Sequence, residues 1–254
     1  MTEWYAYTII IWAFILIAAV VFISLFFFAA PYGRHTKTGW GPMINNRAGW
    51  VLMEIPASLL FIFYAVIGQR EINLTLAVFI MIWQIHYLHR AFIYPFTIRG
   101  SSKMPLSIAL SGLLFNAVNT YVQGRWLFTF APVSLYGISW LADPRFIIGT
   151  VVFITGYAIN KHADYVLRNL RKPGEKEYRI PAGGLYRLIS CPNYFGEVVE
   201  WTGWAILTWS MAGSVFALWT AANLVPRAYQ HHLWYKKTFP DYPGSRKSVI
   251  PFVF

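Results

Sequence analysis

The chain predicts an all-α integral membrane protein of seven transmembrane helices, amino terminus outside and carboxyl terminus cytoplasmic, and three observations carry that expectation. Of its 254 residues 57% are hydrophobic and only 12% are charged, against roughly 25% charged in a soluble domain. Seven stretches approach the ~20 apolar residues that a spanning helix needs. Most of the 21 Lys and Arg residues fall in the connections that this topology places inside, leaving Arg70, Arg125 and Arg145 for the outer side; cytoplasmic loops are enriched in such residues.

The first stretch, about 8–30, is too long for a signal-peptide core, follows no basic residue and has no small-residue cleavage site, so it reads as an anchor. The second, about 50–68, carries Glu54 about one turn from its inner end. The third, about 72–93, runs the other way and brings His86, Tyr87, His89 and Arg90 to the same depth. The fourth, about 105–130, holds no charge before Arg125. The fifth, about 145–162, delivers Asn160 to the inner side, and a basic loop, about 163–193, begins with Asp164 and Arg168. The sixth, about 194–211, starts beside Asn193 and carries Glu197 and Glu200; the seventh, about 213–235, returns with Arg227, His231 and Tyr235. Residues 1–254 are read as one membrane domain.

A charge near the centre of a bilayer costs about 2.5–3.5 kcal/mol, so an intramembrane acid or base is a functional candidate by default. Glu54, Glu197, Glu200, Arg227 and His231 all qualify, and they converge on one leaflet. Arg227, His231 and Tyr235 recur every four residues, as do Asn193, Glu197 and Trp201, so each set shares a helix face. Interhelical hydrogen bonds and snorkelling side chains are the plainer account of any one of these residues. They explain the convergence less well.

The longest polar stretch, RNLRKPGEKEYRIPAGGLYRLISCPN, is broken by Pro173, Gly174, Pro181, Gly183 and Gly184 and is dominated by Arg and Lys. That composition suits a polyanion, because Arg pairs with phosphate in a bidentate fashion and glycines let backbone N–H groups approach it. No GxGxxG follows a strand, which excludes a Rossmann domain. The net charge of +11 therefore reads as topology plus an anion site, with anionic lipid headgroups attracted to the basic side and no nucleic-acid partner. The single cysteine, Cys191, forbids an intrachain disulfide, and no metal-ligand spacing occurs. His231 and His232, adjacent in sequence, do not share a helix face as a metal pair would need.

The segments RKPGEKEYRIPAGGLYRLISCPNYFGEVVEWTGWA and PRAYQHHLWYKKTFPDYPGSRKSVIPFVF closely resemble the carboxyl-terminal half of the steroid 5-alpha-reductase family, in particular its type 2 branch. LMEIPAS around Glu54 and HYLHRAFIYP around Tyr87 extend the resemblance over about residues 30–254. The resemblance implies NADPH-dependent reduction of the 4,5 double bond of a 3-oxo-Δ4 steroid. It implies that Glu54 and Tyr87 hold the steroid carbonyl. It assigns NADPH binding to Asn160, Asp164, Arg168, Arg171, Tyr178, Arg179, Asn193, Glu197, His231 and Tyr235, and places Met53, Trp201 and Leu224 beside the substrate. Met53 stands where the type 2 branch carries a Gln, a loss of polarity that bears on substrate preference.

An enone accepts hydride at its β-carbon only if the charge arriving on the carbonyl oxygen is stabilised. Tyr87 supplies an O–H; Glu54 either donates when protonated or orients Tyr87 when ionised. The steroid is expected to enter from the bilayer between the first and fourth helices of a monomer, NADPH to lie on the cytoplasmic side, and the α-carbon to take its proton from water. The host is a bacterial inner membrane in a bacterium and the endoplasmic reticulum membrane in a eukaryote. The alternatives are a reductase of another unsaturated lipid (sterol, polyprenol or long-chain enoyl thioester) and a membrane methyltransferase using S-adenosylmethionine. GLYRLISCPNYFGE resembles the methyltransferase pattern but has Cys191 where that pattern has His. A seven-helix receptor or carrier fits less well, because the outer loops are short and no inverted repeat is visible.

Overall fold

The computed structural model describes residues 2–31, 33–37, 39–98, 103–170 and 177–254. Its long helices are α1 (Glu3–Phe27), α2 (Asn46–Val66), α3 (Leu74–Leu88), α5 (Leu106–Arg125), α6 (Pro144–Asn169), α7 (Pro192–Thr208) and α8 (Met211–Thr238), with the short α4 (Tyr94–Thr97) following α3. They coincide with the seven apolar stretches. α1, α2 and the continuous run Leu74–Thr97 are long and apolar enough to cross a membrane by length and composition, which marks a membrane protein. Along α1 the exposed side chains Trp12, Leu16, Ile17, Val20 and Ile23 form a surface suited to lipid rather than water.

Helix starts follow capping chemistry. Asn45 Oδ1 accepts the N–H groups of Arg47 at 2.9 Å and Ala48 at 3.3 Å ahead of α2, and Asn73 Oδ1 accepts from Leu76 at 3.0 Å ahead of α3. Ser210 Oγ accepts from Gly213 at 2.9 Å at the head of α8, and Pro192 occupies the first turn of α7, where its missing N–H costs nothing. Asp143 Oδ1 accepts from the Arg145 N–H at 2.8 Å at the start of α6. The Arg145 guanidinium, aided by that N–H, holds the Asp143 carboxyl down at about 2.

Four features depart from the expected outline. α1 begins at Glu3 rather than near residue 8, because Arg125 grips that carboxylate in a bidentate pair (Nε–Oε1 2.7 Å, Nη2–Oε2 2.6 Å). α6 continues to Asn169, so Asp164 and Arg168 are helical and not part of the loop; Asn160 and Ala163, each 1% exposed, keep that stretch packed beyond the apolar run. α3 passes into a π-helical turn at His89–Ile93, and α5 into another at Trp126–Phe130. A two-stranded antiparallel sheet joins β1 (Met43–Asn45) to β2 (Lys103–Pro105) with Ile44 opposite Met104. It fixes the cap residue Asn45 at the head of α2.

The chain divides into two compact units. The first comprises Met1–Ile11 and Pro31–Phe146, the second Trp12–Ala30 and Ile147–Phe254. In the first, Phe61 of α2 stacks on Trp83 of α3 (4.5 Å, 10°), Trp83 Nε1 donates to the Ala57 carbonyl at 2.8 Å, and Ser58 and Gln84 exchange hydrogen bonds at 2.7 and 2.9 Å. These pairs lock the register of α2 against α3.

In the second unit α6 and α7 meet backbone to backbone. A Cβ on Gly156 would lie 2.2 Å from the Glu200 nitrogen, and one on Gly203 would lie 2.3 Å from the Phe153 nitrogen. Small residues permit such close contact between helices. The carboxyl-terminal tail is clasped to the stretch before α7: Ser190 N–H donates to the Lys247 carbonyl at 2.9 Å, and Ser190 Oγ lies 2.6 Å from both His232 Nδ1 and the Tyr242 hydroxyl.

Candidate active site

In the first unit the site is built where α2 begins and α3 ends. The contacts Trp50–Tyr94, Glu54–Arg90 and Ala57–Trp83 run in opposite chain directions, so α2 and α3 are antiparallel. Tyr87 lies one turn beyond Trp83, which brings it to the Glu54 turn of α2. Its ring is 3% exposed and packs on Trp83 at 4.7 Å and on His86 at 4.9 Å.

Glu54 is 9% exposed and charge-paired. Arg90 Nε donates to Oε1 at 3.4 Å, and Asn116 Nδ2, from α5, donates to Oε2 at 3.2 Å. The Arg90 guanidinium lies over the rings of Trp50 at 4.6 Å and Tyr94 at 4.8 Å, so two aromatic faces hold the cation that faces the acid. Arg90 sits inside the π-helical turn, where one extra residue per turn re-aims the side chains that follow. Met53, the neighbour of Glu54, is buried against Met104 and Ala109.

In the second unit the polar groups meet along α6 and α7. Asn160 Nδ2 donates to the Asn193 carbonyl at 3.0 Å and to Glu197 Oε2 at 3.5 Å, and Asn193 Nδ2 donates to Asp164 Oδ1 at 3.4 Å. The ring of Trp201 meets Phe153 of α6 at 5.9 Å, so Asn193, Glu197 and Trp201 share the face of α7 turned to α6. Asn160 is 1% exposed, and among the described residues no hydrogen-bond partner reaches its Oδ1. A buried acceptor of this kind, flanked by the carboxylates of Asp164 and Glu197, fits the N–H and O–H donors of a nicotinamide nucleotide.

The remaining assigned residues divide. Tyr194 gathers two residues of α8: its hydroxyl lies 3.2 Å from His231 Nε2 and accepts from Arg227 Nη2 at 3.5 Å. Tyr235 instead stacks on Tyr242 at 5.3 Å and 10°, and Tyr178 packs edge-on against Trp234 at 5.1 Å. Arg168 lies over the Tyr165 ring, Arg179 is exposed, and Leu224 is buried in α8. Arg171 lies outside the described residues. Sequence reasoning overlooked Asn116, Tyr194 and the aromatic grip on Arg90. A signal for the first was present: Asn116, Asn119, Thr120 and Gln123 follow helical spacing within an otherwise apolar stretch.

A sequence model of the family described as 3-oxo-5-alpha-steroid 4-dehydrogenase matches residues 102–254. The chain is 42% identical over 248 residues to the steroid 5-alpha-reductase DET2 of Gossypium hirsutum, covering 94% of each. It is 42% identical over 242 residues to 3-oxo-5-alpha-steroid 4-dehydrogenase 1 of Bos taurus, covering 93% of each, and 41% identical over 226 residues to the Homo sapiens protein of that name, covering 88% of this chain and 86% of the relative. One of these relatives is named a reductase and the other two a steroid dehydrogenase, which favours the oxidoreductase side of the likeness shared with membrane methyltransferases. By this similarity the chain belongs to the steroid 5-alpha-reductase, or 3-oxo-5-alpha-steroid 4-dehydrogenase, family of oxidoreductases acting on CH–CH bonds.

Proposed function

We propose that this protein reduces the 4,5 double bond of 3-oxo-Δ4 steroids with NADPH as hydride donor, working as a multi-pass protein of seven spans. One observation carries the reading: a buried acid, Glu54, held by N–H donors at the turn of α2 that faces the Tyr87 turn of α3. The names of the relatives supply the substrate class.

Hydride addition to the β-carbon of the enone leaves negative charge on the 3-oxygen. Losing one donor to such an oxygen costs about 2.7–4 kcal/mol in barrier. Tyr87 is the donor in this account: its O–H donates to the carbonyl oxygen, and the Glu54 carboxyl fixes the direction of approach. The buried Trp83 ring packed on Tyr87 excludes water from that hydrogen bond and so strengthens it. The enolate then takes a proton at its α-carbon from water.

NADPH, when bound, supplies the hydride. The acceptors Asn160 Oδ1, Asp164 and Glu197 suit its carboxamide and ribose hydroxyls, with Asn193 orienting Asp164. Arg168, Arg171 and Arg179 suit its phosphates, and Tyr178, His231 and Tyr235 complete the assigned set. The test is to incubate purified protein with testosterone and NADPH and to identify the product by mass. A product heavier by two hydrogens, with the 3-ketone intact, is expected; unchanged steroid would count against the proposal.

A further inference from the structure

We infer that Asn116 is a positioning residue for the reaction proposed above, acting through Glu54. The inference rests on that reading of Glu54. Asn116 is 6% exposed on α5, and its Nδ2 donates twice: to the Met53 carbonyl at 2.7 Å and to Glu54 Oε2 at 3.2 Å. The first bond fixes the amide. A carbonyl can only accept, so the nitrogen and not the oxygen must face Met53, and the second N–H is thereby aimed at the carboxyl.

The backbone supports this arrangement. Thr120 Oγ1 donates to the Asn116 carbonyl at 2.6 Å, tying the residue to its own helix one turn on. On the α2 side the contact lies beside Pro56, which lacks an N–H and whose ring pushes on the carbonyl one turn before it. The carbonyl deprived by Pro56 is that of Leu52, and Asn116 joins the two helices at the next carbonyl, that of Met53. Arg90 supplies the countercharge on Oε1, and Asn116 sets the orientation of the carboxyl from Oε2.

Three variants test this. In Asn116→Leu the carboxyl loses its orienting donor, and kcat for steroid reduction should fall about ten- to a hundredfold, the value of a hydrogen bond to a charged group. KM for NADPH should stay within about threefold, since Asn116 is not among the residues assigned to the nucleotide. Asn116→Asp keeps the shape but presents oxygens to Met53 and Glu54. Its kcat should be low at about pH 8 and recover toward about pH 6 relative to the unsubstituted chain, because a protonated carboxyl regains one O–H donor. Glu54→Gln is the reference: if it keeps full activity, the assignment of Glu54 itself fails. If Glu54→Gln is inactive while Asn116→Leu turns over at the unsubstituted rate, only the role of Asn116 fails. Should Asn116→Leu not fold, the Asn116→Asp profile decides, and a profile parallel to that of the unsubstituted chain overturns the inference.

Discussion

In the first unit a carboxylate is enclosed by donors: Glu54 accepts from Arg90 and Asn116, and Arg90 is itself pinned between Trp50 and Tyr94. In the second unit α6 and α7 meet through glycines, and the polar groups they bring together include an amide oxygen, Asn160 Oδ1, that no described residue reaches. Bulky aromatic side chains organise the first cluster and the absence of side chains organises the second. The difference teaches how each is used. A group held by donors on both of its oxygens keeps one geometry through a reaction, as a carbonyl-orienting acid must. A buried acceptor left open favours a ligand that brings its own N–H or O–H groups, as a nucleotide does.

The comparison breaks most readily at Glu54 and Tyr87. Tyr87→Phe should lower kcat by about a hundredfold or more, the loss typical of an oxyanion donor, and Glu54→Gln, which misdirects that donor, by a comparable factor. NADPH affinity, read by fluorescence titration, should be unchanged; a parallel loss of nucleotide binding would mean that the two clusters are not functionally separate. Next in size is the glycine contact. Gly156→Val sets a branched side chain against the Glu200 backbone and should destabilise the protein by about 3 kcal/mol, the upper range for overpacking, seen as a lower unfolding midpoint in detergent. An unchanged midpoint would show that α6 and α7 can separate freely. Smaller is Asn160→Ala, which removes the open acceptor and should weaken NADPH about tenfold, one hydrogen bond's worth. Unaltered affinity would assign that oxygen to some other partner.

The helices were legible because apolar runs are local: the seven stretches lie where the seven long helices do. The caps Asn45, Asn73 and Ser210 emerge only from the structure. The far end of α6 was not legible, since KHADYVLRN is polar and lacks the apolar signal, although Asn160, Asp164 and Arg168 keep a four-residue spacing that continues the helix. The π-helical turn around Arg90 depends on which carbonyl each N–H selects, which no hydropathy pattern records. Glycines at 149 and 156, and at 196 and 203, repeat at seven residues in the sequence, but only packing shows that they oppose each other. For the site, physical reasoning identified Glu54, Glu197 and His231 as costly polar groups in apolar surroundings, and family resemblance assigned their roles. Asn116 escaped both, because an amide within an apolar stretch carries no charge to flag it.

In the proposed reaction hydride passes from NADPH to the β-carbon of a steroid enone. Purified protein should be given testosterone and NADPH carrying deuterium at the transferable position of the nicotinamide, and the product analysed by mass and by the position of the label. The account predicts a reduced steroid one mass unit heavier than that made with unlabelled NADPH, with deuterium at the β-carbon. A reduced product free of the label, or label at the former carbonyl carbon, would contradict it.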